Sequence, residues 1–201
     1  MAKQKRSKAE DPTTEEKIIE AACKVFTQKG YAATRTRDIA EEAGINLALL
    51  NYYFRSKEKL FQMIMAEKLQ QLFSVIFPII NNSQLTLDKK IEALAENYID
   101  LLIGNPELPL FVLSEIQANP EGFKDKIQVQ KILKDSSLIL QIRERNPDIE
   151  PVQFIVSLLG MTIFPFVAKQ VLFPNEKVFR ALMEDRKKLI AAWAKAMLKT
   201  K

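Results

Sequence analysis

Apolar residues return every three to four positions along most of the chain, and no run of useful length alternates with the period of two that a half-buried strand requires. In "DPTTEEKIIEAACKVFTQKG", Ile18, Ala21, Ala22, Val25 and Phe26 share one helical face. Thr13 or Thr14 is a suitable cap, Glu15 and Glu16 suit the positive end, and Gly30 suits the exit. "TRTRDIAEEAG" predicts a shorter helix capped by Thr34 or Thr36, with Ile39, Ala40 and Ala43 inward and Gly44 as its stop. After a brief turn, "LALLNYYF" is helical again. Ser56 then caps a long helix carrying Leu60, Phe61, Ile64, Met65, Leu69, Leu72, Phe73, Ile76 and Phe77, which Pro78 ends or kinks. Further helices are predicted over 87–104, 108–118, 123–145, 151–173 and 176–199, with breaks at "NNSQLT", "GNPELP", "NPEG" and "NPDIEP". The expectation is an all-α chain of about nine helices, with a domain boundary inside the long helix after Phe61.

Composition narrows the chemistry. The 201 residues contain no histidine and one cysteine, Cys23. Histidine-based catalytic triads, histidine metal sites and an intrachain disulfide are therefore excluded. There is no Gly-rich phosphate loop, nucleophile motif or metal-spaced carboxylate set, so an enzyme is not expected, nor is a cofactor. The longest nearly apolar run, Phe154–Ala168, contains Pro165 and falls short of the ~20 residues of a spanning helix. With no secretory h-region after the basic start "MAKQKRSK", a cytoplasmic protein without a membrane partner is expected. Net charge is +5, and the first sixty residues hold most of that excess, which is compatible with a polyanionic partner.

The stretch "GINLALLNYYFRSKEKLF" places an apolar segment directly against a polar and cationic rim. Two short helices joined by a Gly-containing turn form the pattern of a helix-turn-helix. Ile45, Leu49 or Leu50, and Phe54 can supply its buried face, leaving Asn46, Leu47, Ala48 and Asn51 on the exposed N-terminal side. Small and apolar side chains there permit close approach and contact with thymine methyls. Tyr52, Tyr53, Arg55 and Lys57 can reach phosphates, and helix starts near Thr36 and Ser56 offer backbone N–H donors. These features alone leave two readings open, a DNA-reading pair or a merely structural helical hairpin; a competing function is an all-helical module whose first three helices bind a protein.

The segment Thr14–Leu60 resembles the DNA-binding domain of TetR/AcrR family transcriptional regulators, through "IIEAACKVFTQKGYAAT", "RDIAEEAGI" and "YYFRSKEKLF" in that order. The first eleven residues read as a disordered basic arm, and the resemblance implies a helix-turn-helix domain over 12–61 and a helical effector-binding and dimerisation domain over 62–201. By position it implies DNA contacts from Thr36 and Arg37, from Asn46, Leu47, Ala48 and Leu49 at the start of the recognition helix, from Tyr52 and Tyr53, and from Lys57 as a phosphate ligand. The family often has Lys-Gly-Thr where this chain has Leu47-Ala48-Leu49, and tyrosine where it has Asn51, so the base-reading surface is unusually apolar. Asn51 either pairs with an adenine or packs on the first helix. Arg35 replaces a common Ser or Thr and can reach a phosphate.

The resemblance also implies a ligand-responsive regulator, expected to be a repressor, that binds double-stranded DNA at a palindromic operator. The bulky residues Phe73, Phe77, Tyr98, Phe111 and Phe164 are expected to line an apolar pocket for a small effector. A homodimer is expected to form through Val156, Leu159, Ile163 and Val167 of one helix and Phe179, Leu182, Met183, Leu189, Ile190, Trp193 and Met197 of the last.

Overall fold

The computed structural model describes residues 13–127, 136–173 and 175–199. Among them there are eleven helices and no strand. They are α1 (Thr14–Ala33), α2 (Thr36–Glu42), α3 (Leu47–Tyr53), α4 (Lys57–Ile80), α5 (Leu87–Gly104), α6 (Leu108–Ala118), α7 (Pro120–Ile127), α8 (Ser137–Arg145), α9 (Pro151–Val167), α10 (Lys169–Leu172) and α11 (Glu176–Met197). The chain divides into two compact units, with the division between Ile64 and Met65 inside α4. The basic arm expected over 1–11 lies outside the described residues.

In the first unit α1 packs on α2, and α2 on α3. Thr13 and Glu16 form a reciprocal cap: the Glu16 N–H donates to the Thr13 hydroxyl at 3.2 Å, and the Thr13 N–H donates to the Glu16 carboxylate at 2.7 Å. Gly30 does not end the helix outright. At φ 75° and ψ 161°, which a side chain resists, it interrupts α1, and one more turn follows to Ala33. Ile18, Ala22, Phe26, Ile39, Leu50 and Leu60 form the core. Phe26, Tyr31 and Phe61 cluster beside it, with Phe61 edge-on to Phe26 at 5.0 Å.

In the second unit α5 packs on α11, α9 and α8. Glu92 pairs with Lys195, and Asp100 with Lys187 at 2.6 Å, so α5 and α11 run antiparallel. Ala95, Ile99, Ile190 and Ala194 lie between these pairs, and Ile91, Leu102, Phe179 and Met183 extend the same buried layer beyond them. Two sequence expectations change here. The helix expected over 123–145 starts earlier, because Pro120 suits a first helical position where no N–H is needed; its middle, 128–135, lies outside the described residues, and α8 follows. The helix expected over 151–173 breaks at Ala168. Pro165 lacks the N–H that would bond the carbonyl of Met161, and Arg186 Nε donates to that carbonyl instead, at 2.8 Å.

α4, at 24 residues, is long and apolar enough to cross a membrane by length and composition, which the sequence reading did not anticipate. One face of it is buried in protein: Leu60, Phe61 and Ile64 in the first unit, and Leu69, Leu72 and Ile80 in the second. Mid-helix Lys68 is ion-paired with Glu107 at 2.8 Å.

Two outcomes follow from the α5–α11 packing. Ile99→Ala, at a fully buried position, should lower unfolding free energy in urea by about 2–5 kcal/mol. Glu92 is held at a pKa of about 2, against 4.5 for an ordinary glutamate, by hydrogen bonds from Lys195 and then Lys89. A depressed carboxylate stabilises the fold fully above its unfolded value, and that contribution is lost as pH falls through its folded value. Glu92→Gln should therefore be less stable than wild type at neutral pH, with the gap closing between about pH 4.5 and about 2; a gap independent of pH would contradict this.

Candidate functional site

The turn between α2 and α3 is set by Gly44, at φ 67°. Its N–H donates to the Glu41 carbonyl at 3.1 Å, and the Ile45 N–H donates to the Ala40 carbonyl at 3.0 Å. These bonds satisfy the last carbonyls of α2 while the left-handed glycine redirects the chain into α3. Leu50 is the buried anchor of α3 and Leu49 is not, which settles the alternative left by the spacing. Leu47, Ile45 and Phe54 are half-buried beside it. Ala48, Leu49, Asn51, Tyr52 and Tyr53 are exposed, Tyr52 at 79%. Asn51 thus faces outward and does not pack on α1. Tyr52 and Tyr53 stand edge to face with ring centres 5.4 Å apart.

Two of the expected DNA contacts have other partners. Asn46 caps α3, its side-chain oxygen accepting the Leu49 N–H at 2.8 Å, which leaves its amide N–H groups as the free donors. Lys57 directs its ammonium at the carbonyls of Tyr31 and Thr34, both at 2.8 Å, with the Tyr31 ring 4.3 Å away. In the chain without DNA the cation joins the end of α1 to the start of α4. Thr34 is itself held by its hydroxyl on the Gly30 carbonyl at 2.7 Å.

The start of α2 is also occupied in part. The Arg35 N–H donates to Asp38 at 2.8 Å, and Lys29 approaches the same carboxylate at 3.2 Å. The Arg35 N–H first, and then Lys29, hold the Asp38 carboxyl below its ordinary pKa. The Arg35 and Arg37 side chains are exposed, while Thr36 is half-buried. The first unit therefore presents exposed arginines on α2, a small apolar edge on α3, and two tyrosines.

The second unit encloses a cavity of about 580 Å³, within the usual ~300–1,000 Å³ of ligand sites. Its walls come from α4, α5, α6, α7, α8 and α9. Phe73, Tyr98 and Phe164 line it as expected from the sequence. Phe77 and Phe111 do not: Phe77 stacks on Phe73 at 4.5 Å, and Phe111 is wholly buried in packing. Residues not anticipated include Leu72, Ile76, Val112, Leu138 and Leu158. A signal for the site was the series Leu94, Tyr98, Leu102 on α5, one side chain per turn. Among the described residues, the hydroxyls in the lining are on Tyr98, Ser136 and Thr162, and Thr162 donates to the Leu158 carbonyl at 2.8 Å. Burial pushes the Tyr98 phenol well above its ordinary pKa, so it stays protonated and able to donate.

The residues expected at a dimer interface separate into two sets. Phe179, Met183 and Ile190 are buried within the chain, which corrects that expectation. They form the inner stripe of α11. Leu182, Leu189 and Trp193 form an outer stripe on the same helix. On α9, Val156, Leu159 and Val167 are exposed and Ile163 is half-buried; Met197 is half-buried on α11.

Residues 18–64 match the family model for "Bacterial regulatory proteins, tetR family". Among curated proteins, the chain is 25% identical over 203 residues to "Probable HTH-type transcriptional regulator YttP" of Bacillus subtilis, covering 94% of this chain and 95% of that protein. It is 28% identical over 115 residues to the biofilm operon icaADBC HTH-type negative transcriptional regulator IcaR of Staphylococcus aureus, covering 57% and 60% respectively. Among solved structures, the ketosteroid transcriptional regulator KstR2 of Mycobacterium tuberculosis superposes with a TM-score of 0.68 at 18% identity, over 93% of this chain and 97% of that one. The structural likeness establishes a shared fold.

The two carbonyl bonds of Lys57 lead to a specific outcome. Lys57→Met should lower unfolding free energy by about 1–3 kcal/mol while leaving the salt dependence of DNA binding unchanged. Unaltered stability together with a shallower salt slope would instead support the phosphate assignment.

Proposed function

Because the chain belongs to the TetR family of bacterial transcriptional regulators, we propose that it is a homodimeric repressor whose grip on a palindromic operator is released when a small, largely apolar effector fills the cavity of the second unit. The DNA-binding part of this function goes with the family; the effector response rests on the cavity. A single observation carries that part of the reading: the cavity is of ligand size and, among the described residues, is walled by aliphatic and aromatic side chains with three hydroxyls. α4 supplies Leu72, Phe73, Ile76 and Ile80 to its wall and is continuous with the helix-turn-helix unit, so a change in the wall has a covalent route to the reading heads. The description of a relative, IcaR, as a negative regulator supports repression.

Ala48, Leu49 and Asn51 meet base edges, with the two apolar side chains against thymine methyls and the amide of Asn51 as the hydrogen-bonding reader. Tyr52, Tyr53, Arg35 and Arg37 meet phosphates, Leu47 and Thr36 support the edge from half-buried positions, and the remaining N–H groups of Asn46 reach the backbone. Val156, Leu159, Leu182, Leu189 and Trp193 pack against the same residues of a second copy across a two-fold axis, with recognition helices ~34–36 Å apart or a multiple of it. The protein acts in the cytoplasm, where its operator is.

Selection of bound duplexes from a random pool, with and without apolar compounds, tests the whole reading; recovery of a palindrome that is lost on adding a compound is the expected result. Arg37→Ala should weaken binding to all sequences alike and reduce the log–log salt slope by about 0.9, whereas Asn51→Ala should change sequence preference. A monomer in light scattering at micromolar concentration, or enrichment of no sequence, would overturn the reading.

A further inference from the structure

Lys90 is completely buried, and among the described residues its ammonium has no carboxylate partner. It donates to the hydroxyl of Ser137, which in turn donates to the carbonyl of Ile80 at 3.0 Å. Burial lowers its pKa from the ordinary lysine value. A buried cation held by one hydroxyl is costly to the fold, and such groups gather at functional sites.

The position of Lys90 relates it to the cavity. Leu94, Tyr98 and Leu102 line the cavity at intervals of one turn along α5, and Lys90 is the next residue of that series toward the helix start. Its hydrogen-bonded chain runs through wall residues. Ile80 lines the cavity, and so do both chain neighbours of Ser137, namely Ser136 and Leu138. Lys90 is not itself a lining residue, but its helix position and its hydrogen-bonded partners set it next to one end, or pole, of an otherwise apolar wall. The low-dielectric walls screen that charge little.

We propose that this pole receives an anionic head group, so that the effector is an amphiphile with a single negative charge, such as a long-chain carboxylate, whose apolar body fills the remainder. The proposal rests on the reading of the cavity as the effector site and sharpens it. The carboxylate takes up the partner that Lys90 lacks, while the aliphatic walls take the chain. Tyr98, one turn beyond Leu94, marks the body of the ligand and not its charged end. A neutral apolar compound of the same length enters the chamber but leaves Lys90 as it is.

Decanoate, decyl sulfate, decanol and decyltrimethylammonium, each below its aggregation threshold, provide the test by displacement of an environment-sensitive fluorophore. Wild-type protein should bind decanoate at least tenfold more tightly than decanol, and the ammonium compound more weakly than either. Lys90→Met should abolish the preference for decanoate, retain decanol binding, and melt no lower than wild type, because a buried charge is replaced by an apolar chain of similar volume. Decyl sulfate binding as tightly as decanoate assigns the pole to anions generally; weaker binding assigns it to carboxylates. Equal binding of decanol and decanoate by wild type, or a preference that survives Lys90→Met, overturns the proposal while leaving the cavity as an effector site. Binding of none of the four overturns the effector-site reading and the proposal with it. The wild-type comparison stands even if the variant does not fold.

Discussion

The antiparallel packing of α5 on α11 is the constraint on which the second unit depends. Its centre is a layer of Ile, Ala, Leu, Phe and Met side chains, and ion pairs at Glu92–Lys195 and Asp100–Lys187 fix the register two helical turns apart. The apolar layer supplies most of the free energy; the exposed ion pairs contribute little individually but disfavour slippage. With one side of α5 held this way, Leu94, Tyr98 and Leu102 are positioned toward α4, α6 and α9, which do not close the space between them. The cavity is thus the region that rigid helices leave unfilled.

A different device governs the first unit. The segment there is short, and α2 and α3 have seven residues each, too few to be stable alone. Their order comes from packing on α1 and from local closures: Gly44 in the left-handed region, the Asn46 cap, the Asp38 cap, and Lys57 on the carbonyls of Tyr31 and Thr34. Polar side chains that a sequence reader assigns to DNA are partly engaged in this closure. What remains outside is small or apolar at the helix start and aromatic at its end. The surface is therefore suited to shape and methyl contacts, with hydrogen bonding concentrated on few groups.

Apolar periodicity locates a helix but does not distinguish its faces when more than one is apolar. α11 illustrates this. Phe179, Met183 and Ile190 and the set Leu182, Leu189 and Trp193 are both at helical spacing, yet the first set is interior and the second is exposed. Phe77 and Phe111 raise the same difficulty, since an aromatic side chain serves equally well as filling or as lining. Pro165 was visible as a helix-breaking residue, but the donor that would take over its orphaned carbonyl, Arg186, is more than twenty residues away.

The sequence by itself determined the helical class, most of the breaks between helices, the helix-turn-helix between Thr36 and Tyr53, and the absence of histidine chemistry, because caps, glycines and 3.6-residue periodicity act over a few neighbours. Only the tertiary structure decided which face of each helix is inside, that Lys57 bonds the carbonyls of Tyr31 and Thr34, and that Lys90 is buried. Those outcomes depend on side chains tens of residues apart meeting in space. Burial and hydrogen-bond satisfaction are settled between such partners and not by local sequence.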